Sequence, residues 1–297
     1  MKALTGAFTA LITPMKDNGD IDFDGWRRLV QFQLENGIDG LVPIGTTGET
    51  PTLDEAEEER LLEIVMKEAG GRVPVIAGAG SNSTKHAVLY TKRAKDFGAD
   101  AALVVTPYYN KPNDEGLLRH FEAVAAVGIP VIVYNIASRT GRNIPTPVME
   151  QLAKMPNIAG VKEASGDVNQ MADVINTIKR PKNGAFTVLS GDDALTLPLL
   201  ALGGDGVISV ISNLVPARVA ALVKAGLAGD FETARNIHYE LLPLVKAAFI
   251  ETNPVPIKRA LLFAGLPAGP TRLPLGRMSA LNEKTLLGTV KALGIPS

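Results

Sequence analysis

Lys162 interrupts an apolar run. In "NIAGVKEASGD", residues 157–167, the hydrophobic segment reaches Val161 and then meets a lysine and a glutamate. Lysine is rarely buried without a partner, so two readings stand. Either Lys162 is solvated at a strand end or paired with Glu163, or it is held inside the fold. A desolvated lysine has a lowered pKa, because burial disfavours its charged form. Its neutral amine can then attack a carbonyl and form a Schiff base. Tyr134, opening "YNIASRTG" (134–141), would bring a phenol able to shuttle protons beside such an imine. "GTTGET" (45–50) offers backbone N–H groups and the hydroxyls of Thr46 and Thr47. That is a cradle for a small carboxylate, or an ordinary loop whose Glu49 caps a helix. Arg139 is a surface arginine or a fork that grips a carboxylate bidentately. Tyr108 and Tyr109, taken alone, read as a packed aromatic corner.

Eight short apolar, β-branched runs must position these groups. They are 7–13, 39–45, 73–78, 101–106, 129–135, 158–163, 186–191 and 206–212. Uninterrupted runs of this kind suit parallel strands covered on both faces. Helix-patterned segments lie between them. One, starting at "TLDEAEEE", opens on capping and acidic residues and stops at Gly70-Gly71. Gly78, Thr106, Tyr134, Lys162 and Ser190 sit near strand ends and recur every 28 residues, the length of one strand, one helix and two short loops. Eight βα units predict an α/β fold, a (β/α)8 TIM barrel with an appended C-terminal helical region. The division is expected as a barrel over 1–222 and helices packed on it over 223–297. A doubly wound open sheet is the runner-up, but "AGAGSNS" (77–83) does not fit the glycine pattern it requires. With Lys162 pointing into the barrel, alternation places Gly160 and Ile158 inward too, Gly160 leaving space beneath the long side chain.

Barrel active sites lie at the C-terminal ends of the strands, and the polar groups above gather at that rim. Other chemistries are excluded or weakly signalled. Cysteine is absent, so disulfides and thiolate metal sites are excluded. His86, His120 and His238 show no metal-ligand spacing and are read as non-catalytic. A net charge of −1 gives no footprint for nucleic acid or an anionic membrane. No apolar run reaches the roughly 18 residues of a membrane span, and the N-terminal stretch lacks signal-peptide character; a cytoplasmic protein is expected. The acidic run "DEAEEE" (54–59) reads as a solvated first helical turn.

In register, the motifs resemble the dihydrodipicolinate synthase/N-acetylneuraminate lyase family of pyruvate-dependent class I aldolases over nearly the whole chain. The resemblance is carried by "TALITPM" (9–15), "GTTGET", "PVIAGAGSN", "VVTPYYNKP", "YNIASRTG", "GVKEASGD", "LSGDDALTLPLLALGGDGVISV" and "ETNPVPIK" (251–258). It implies that Lys162 forms a Schiff base with pyruvate and that Tyr134, Thr46 and Tyr109 form a proton relay, Tyr109 entering from a neighbouring subunit. It implies at least a dimer, with a homotetramer (a dimer of dimers) as the expected assembly. Thr47 would hold the pyruvate carboxylate, Ile208 contact pyruvate through its backbone, and Gly191 line the pocket. Arg139 would receive the carboxylate of L-aspartate-4-semialdehyde. No cofactor and no metal are implied, because the imine itself is the electron sink. The remaining alternatives are another aldolase of the superfamily, such as a sialic acid lyase or a keto-sugar-acid aldolase, and a scaffold that has lost catalysis.

Two departures stand out. Ala137 replaces a common proline in "YNIASRTG". Many members also bind lysine as an inhibitor at a subunit interface, at positions that here are Thr50, Pro51, Leu53, Glu55, Glu58, Asn82, His86 and Tyr108. Asn82 and Tyr108 match that pattern, whereas His86 stands where a glutamate is frequent and Glu55 where a histidine is frequent. Weak or absent lysine inhibition is expected.

Overall fold

The computed structural model describes residues 3–296. At its centre are eight parallel strands: β1 (Gly6–Ala10), β2 (Gly40–Val42), β3 (Ile76–Gly78), β4 (Ala101–Val105), β5 (Val131–Asn135), β6 (Ile158–Glu163), β7 (Thr187–Ser190) and β8 (Gly206–Ser209). They pair in the order β2-β1-β8-β7-β6-β5-β4-β3, and a parallel bridge from Leu41 to Val75 joins the two ends of the series. The sheet therefore closes into a (β/α)8 barrel, and each of the eight apolar runs overlaps one strand. Around it lie α1 (Phe23–Glu35), α2 (Glu55–Ala69), α3 (Thr84–Asp96), α4 (Asp114–Ala125), the four-residue α5 (Ala137–Thr140), α6 (Thr146–Leu152), α7 (Val168–Val174) and α8 (Thr196–Ala201). Then come α9 (Pro216–Leu227), α10 (Phe231–Ala248), α11 (Val255–Phe263) and α12 (Ala280–Ala292).

Helix starts follow local chemistry. The Asp54 carboxylate accepts from the Glu57 N–H, and the Glu57 carboxylate accepts from the Asp54 N–H, closing a capping box on α2. Such a cap stabilises a helix by about 1 kcal/mol. Gly70, at φ 52°, ends the same helix. The side chains of Asp22, Asn113, Asp230 and Ser279 likewise accept from backbone N–H groups at the starts of α1, α4, α10 and α12.

Strand alternation divides the apolar residues into two layers. Phe8, Ala10, Val42, Ile76, Leu103, Ile132, Leu189 and Ile208 fill the barrel interior. Ala7, Val131, Val133, Val161, Val188 and Val207 face outward into the larger core beneath the helices. Burying each Val, Leu or Ile contributes about 1.5–3 kcal/mol, so a register slip on any strand would be heavily opposed.

β6 departs from strict alternation. Val131 is opposite Ile158, yet its neighbour Ile132 is opposite Gly160, so Ala159 is an extra residue in the ladder. Ile158 consequently joins the outer core, and Ala159 packs against the interior. The inward placement of Ile158 is thus corrected by a β-bulge. Gly160 leaves no space beneath Lys162 either. A Cβ there would lie 2.4 Å from the Thr187 carbonyl oxygen and 3.1 Å from Ile132, so glycine is required by close approach of neighbours.

The helix after β8, α9, packs on β1, β8 and α8, completing the eighth βα unit, and α10 packs on α9. The division expected at residue 222 falls inside α9; the helical backbone breaks only at Ala228–Asp230.

Candidate active site

Lys162 is the penultimate residue of β6, directly opposite Tyr134 on β5. Its side chain points into the barrel mouth and is only 6 % exposed. The amine sits 4.1 Å from the centre of the Tyr134 ring. Burial lowers its pKa to about 7; Asp193 pulls in the opposite direction, and Arg139 lowers it further. The solvated-lysine reading is therefore set aside, and so is the pairing with Glu163. Glu163 points to the other side of β6, where its carboxylate accepts from Asn135 Nδ2, Gln170 Nε2 and the Ser165 N–H. That buried network ties the end of β6 to β5 and α7. Gly191 gives the lysine its path: a Cβ there would lie 3.0 Å from both Cγ and Cε of Lys162 and 2.7 Å from the Ala164 side chain.

Tyr134 is buried to the same extent as Lys162, 6 % exposed. Burial pushes its phenol up to about 12, against a hydrogen bond with Thr46. The phenol is thus kept protonated at neutral pH and linked to a hydroxyl that can pass a proton on.

Thr46 and Thr47 sit on a tight loop made of two 3-10 turns, Thr46–Gly48 and Thr50–Thr52, joined by Glu49 in left-handed backbone at φ 60°. Thr13 donates its hydroxyl to the Gly48 carbonyl at 2.7 Å. Thr47 is buried, and its hydroxyl accepts from Asn253 Nδ2 at 3.0 Å. Asn253 also accepts, through its backbone carbonyl, from the Arg139 guanidinium at 3.1 Å. One asparagine therefore bridges the threonine loop and the arginine on α5. The motif "ETNPVPIK" is visible in the sequence, but the place of this side chain between the two is not.

Asp193 is a further group that sequence reasoning misses. Its carboxylate is buried and accepts from the backbone N–H of Val210 at 2.9 Å and, more weakly, of Ile211 at 3.4 Å. Burial raises its pKa to about 6, with hydrogen bonds from Ser209, Val210 and Ile211 opposing. The only signal is the "SGDD" strand end, and nothing in it distinguishes Asp193 from Asp192.

A cavity of about 640 Å³ connects most of these groups, with Thr46, Thr47, Tyr134, Arg139, Lys162, Gly191 and Asn253 in its wall. That volume suits a small-molecule site. Ile208 lies beneath it, packed among the interior side chains of the barrel. Tyr109 is not brought in: it is 90 % exposed, at φ 70°, outside the cavity of its own chain.

The same cavity is also lined by Thr50, Glu58, Asn82, His86, Tyr90 and Tyr108. Here the solvated reading of the acidic run is corrected for Glu58. That residue is buried on the inner face of α2, against the Arg93 guanidinium of α3. Burial raises its pKa to about 7, with Arg93 opposing. His120 lies elsewhere, buried with its ring nitrogen bonded to Thr84, and burial lowers its pKa to about 4.

Residues 3–293 match the dihydrodipicolinate synthetase family. The chain belongs to that family. A 4-hydroxy-tetrahydrodipicolinate synthase of Protochlamydia amoebophila is 53% identical, the match covering 95% of this chain and 94% of that one. The crystal structure of a dihydrodipicolinate synthase from Aquifex aeolicus is 45% identical, with a TM-score of 0.95 and 99% of each chain covered. A chloride-inhibited dihydrodipicolinate synthase from Acinetobacter baumannii, solved in complex with pyruvate, is 39% identical, with a TM-score of 0.95, covering 99% of this chain and 100% of that one. For a member of the dihydrodipicolinate synthetase family, the pairing of Lys162 with Tyr134 at the barrel mouth is the arrangement that the sequence resemblance implies.

Proposed function

We propose that this protein joins pyruvate to L-aspartate-4-semialdehyde through an imine on Lys162, giving 4-hydroxy-tetrahydrodipicolinate. It is a lyase-type enzyme of diaminopimelate and lysine biosynthesis. The observation that carries the reading is Lys162 itself: an enclosed amine lying against a protonated phenol, below a threonine loop.

The order of steps follows from these groups. The neutral amine attacks C2 of pyruvate, and water leaves to give the imine. Loss of a C3 proton gives the enamine. Its C3 attacks the aldehyde carbon of the semialdehyde, and the resulting alkoxide takes up a proton. The substrate amine then attacks the imine carbon, closing the ring and releasing Lys162. Tyr134 and Thr46 are the groups we assign to proton transfer, with Tyr109 of a second chain as the third member. Thr47 takes the pyruvate carboxylate, Ile208 contacts pyruvate through its backbone, and Arg139 takes the carboxylate of the semialdehyde.

The exposure of Tyr109 supports an assembly of at least two chains, which we take to be a homotetramer; light scattering during gel filtration tests it. Among the described residues no helix is long and apolar enough to cross a membrane, and we assign the enzyme to the cytoplasm. The part of the cavity wall formed by Asn82, Tyr108, His86 and Glu58 is the proposed inhibitor site. His86 offers no carboxylate for an ammonium group, and that of Glu58 is taken by Arg93, so lysine should bind weakly or not at all. Micromolar lysine affinity by calorimetry would refute that.

The test of the main reading is borohydride reduction with pyruvate, followed by peptide mass spectrometry. A pyruvate-derived adduct on Lys162 is expected; an adduct elsewhere, or none, overturns the assignment. Comparing aspartate semialdehyde with sugar aldehydes as acceptors then separates the synthase from the other aldolases, which the names of the relatives do not favour.

A further inference from the structure

A second lysine is buried more deeply than Lys162. Lys258, on α11, is 1 % exposed, and Glu49 is 2 % exposed. Its ammonium donates to Glu49 Oε1 at 2.6 Å, to the Pro270 carbonyl at 2.6 Å and to the Thr13 carbonyl at 2.9 Å. All three protons are used. The second oxygen of Glu49 accepts from the Arg272 N–H at 2.9 Å. The condensation chemistry makes no use of either group.

We propose that the buried Lys258–Glu49 ion pair is a positioning pair for the condensation, fixing the Thr46–Thr47 loop from the C-terminal helices. The proposal rests on the reading that Thr47 takes the pyruvate carboxylate.

Four observations support it. Glu49 follows Thr46, Thr47 and Gly48 directly, and its N–H donates to the Thr46 carbonyl. Its left-handed backbone, φ 60°, is unfavourable for a residue with a Cβ, so the conformation of the loop is held by what its carboxylate binds. Thr13 works on the loop from both ends, its carbonyl receiving Lys258 and its hydroxyl gripping Gly48. Finally, Asn253, shortly before Lys258 on the same C-terminal segment, reaches Thr47 itself. Removing one member of a buried pair leaves the other charge uncompensated. The loop above it is then released from its anchor.

The experiment uses full-length Lys258→Met and Glu49→Gln, with Glu57→Gln as control. Glu57 pairs with Arg272 at the partly exposed end of the same contact, so its loss weakens the attachment without touching the buried pair. Melting temperature, pyruvate KM, kcat and borohydride trapping are measured for each. We expect pyruvate KM to rise on the order of 10- to 100-fold in both pair variants, as for a small misplacement of a binding group. Lys162 should remain trappable at saturating pyruvate, and Glu57→Gln should keep the wild-type KM. Lower melting temperatures with unchanged pyruvate KM would mean that the pair only stabilises the fold and would overturn the proposal. Should Lys258→Met fail to fold, Glu49→Gln, which keeps the shape and an acceptor for Lys258, decides on the same criterion. Wild-type enzyme that pyruvate does not trap overturns the functional reading and this proposal with it. Wild-type trapping with unaltered KM in the variants overturns this proposal alone.

Discussion

The two buried lysines have opposite surroundings. Around Lys258 three oxygens converge, one of them on a carboxylate. Around Lys162 there are a tyrosine ring, the bare backbone of Gly191 and a cavity. Burial depresses both pKa values, but at Lys258 the Glu49 carboxylate opposes it through both charge and hydrogen bonding. The carboxylate that opposes it at Lys162, Asp193, spends its hydrogen bonds on Ser209 and on the backbone of the strand-eight exit. Burial alone does not make a nucleophile. The supply of acceptors decides whether a buried amine is a structural cation or a reactive base.

The sharpest way to break this contrast is Lys162→Ala. Turnover should fall by roughly 10⁴-fold or more, as expected for loss of a covalent nucleophile, and borohydride trapping should vanish. Activity near wild type would put both lysines in the structural class. Next is Tyr134→Phe, which keeps the ring against the amine and removes only the hydroxyl. A drop in kcat of about 10²- to 10³-fold would mark the phenol as a proton carrier; an unchanged kcat would reduce Tyr134 to a wall of the pocket. Gly191→Ala tests the bare backbone. The added methyl must displace Lys162 or Ala164, and a loss of about 10- to 100-fold in kcat/KM is expected from misplacing the amine. Full activity would mean that the lysine reaches pyruvate by another path. The gentlest test is pH. Only the neutral amine attacks, and with a pKa of about 7 for Lys162 the rate of imine formation should rise about tenfold per unit below pH 7 and level off above it. A rise that continues to pH 10 would give Lys162 the ordinary titration of an exposed lysine.

Much of the barrel and its rim is legible in the residues alone. The eight runs mark the strands because a strand covered on both faces needs apolar side chains at consecutive positions. The 28-residue recurrence puts Tyr134 and Lys162 side by side at one rim, where they are found. Ala159 escapes such reading because alanine and glycine express no preference for either face, so "IAG" hides an extra residue. Glu58 escapes it because Glu55 and Glu59 on either side of it are acidic and exposed, while the arginine that accompanies its burial lies on another helix. The Lys258–Glu49 pair is hidden for a related reason: 209 residues separate its members, and no local pattern links them.

That separation has a consequence for the order in which the protein is made. The strands of the barrel have all been synthesised by Ser209, yet the threonine loop still lacks Asn253, Lys258 and Arg272. At roughly 5–20 residues per second, a ribosome that has just made Glu49 needs about 10–40 s to reach Lys258. Only after Ser209, for about the last 2–10 s of that interval, can the nascent chain hold Lys162 and Tyr134 in a barrel without the anchored loop that is assigned to hold pyruvate. A product released before the C-terminal helices would carry Lys162 and Tyr134 without the contacts that fix the threonine loop.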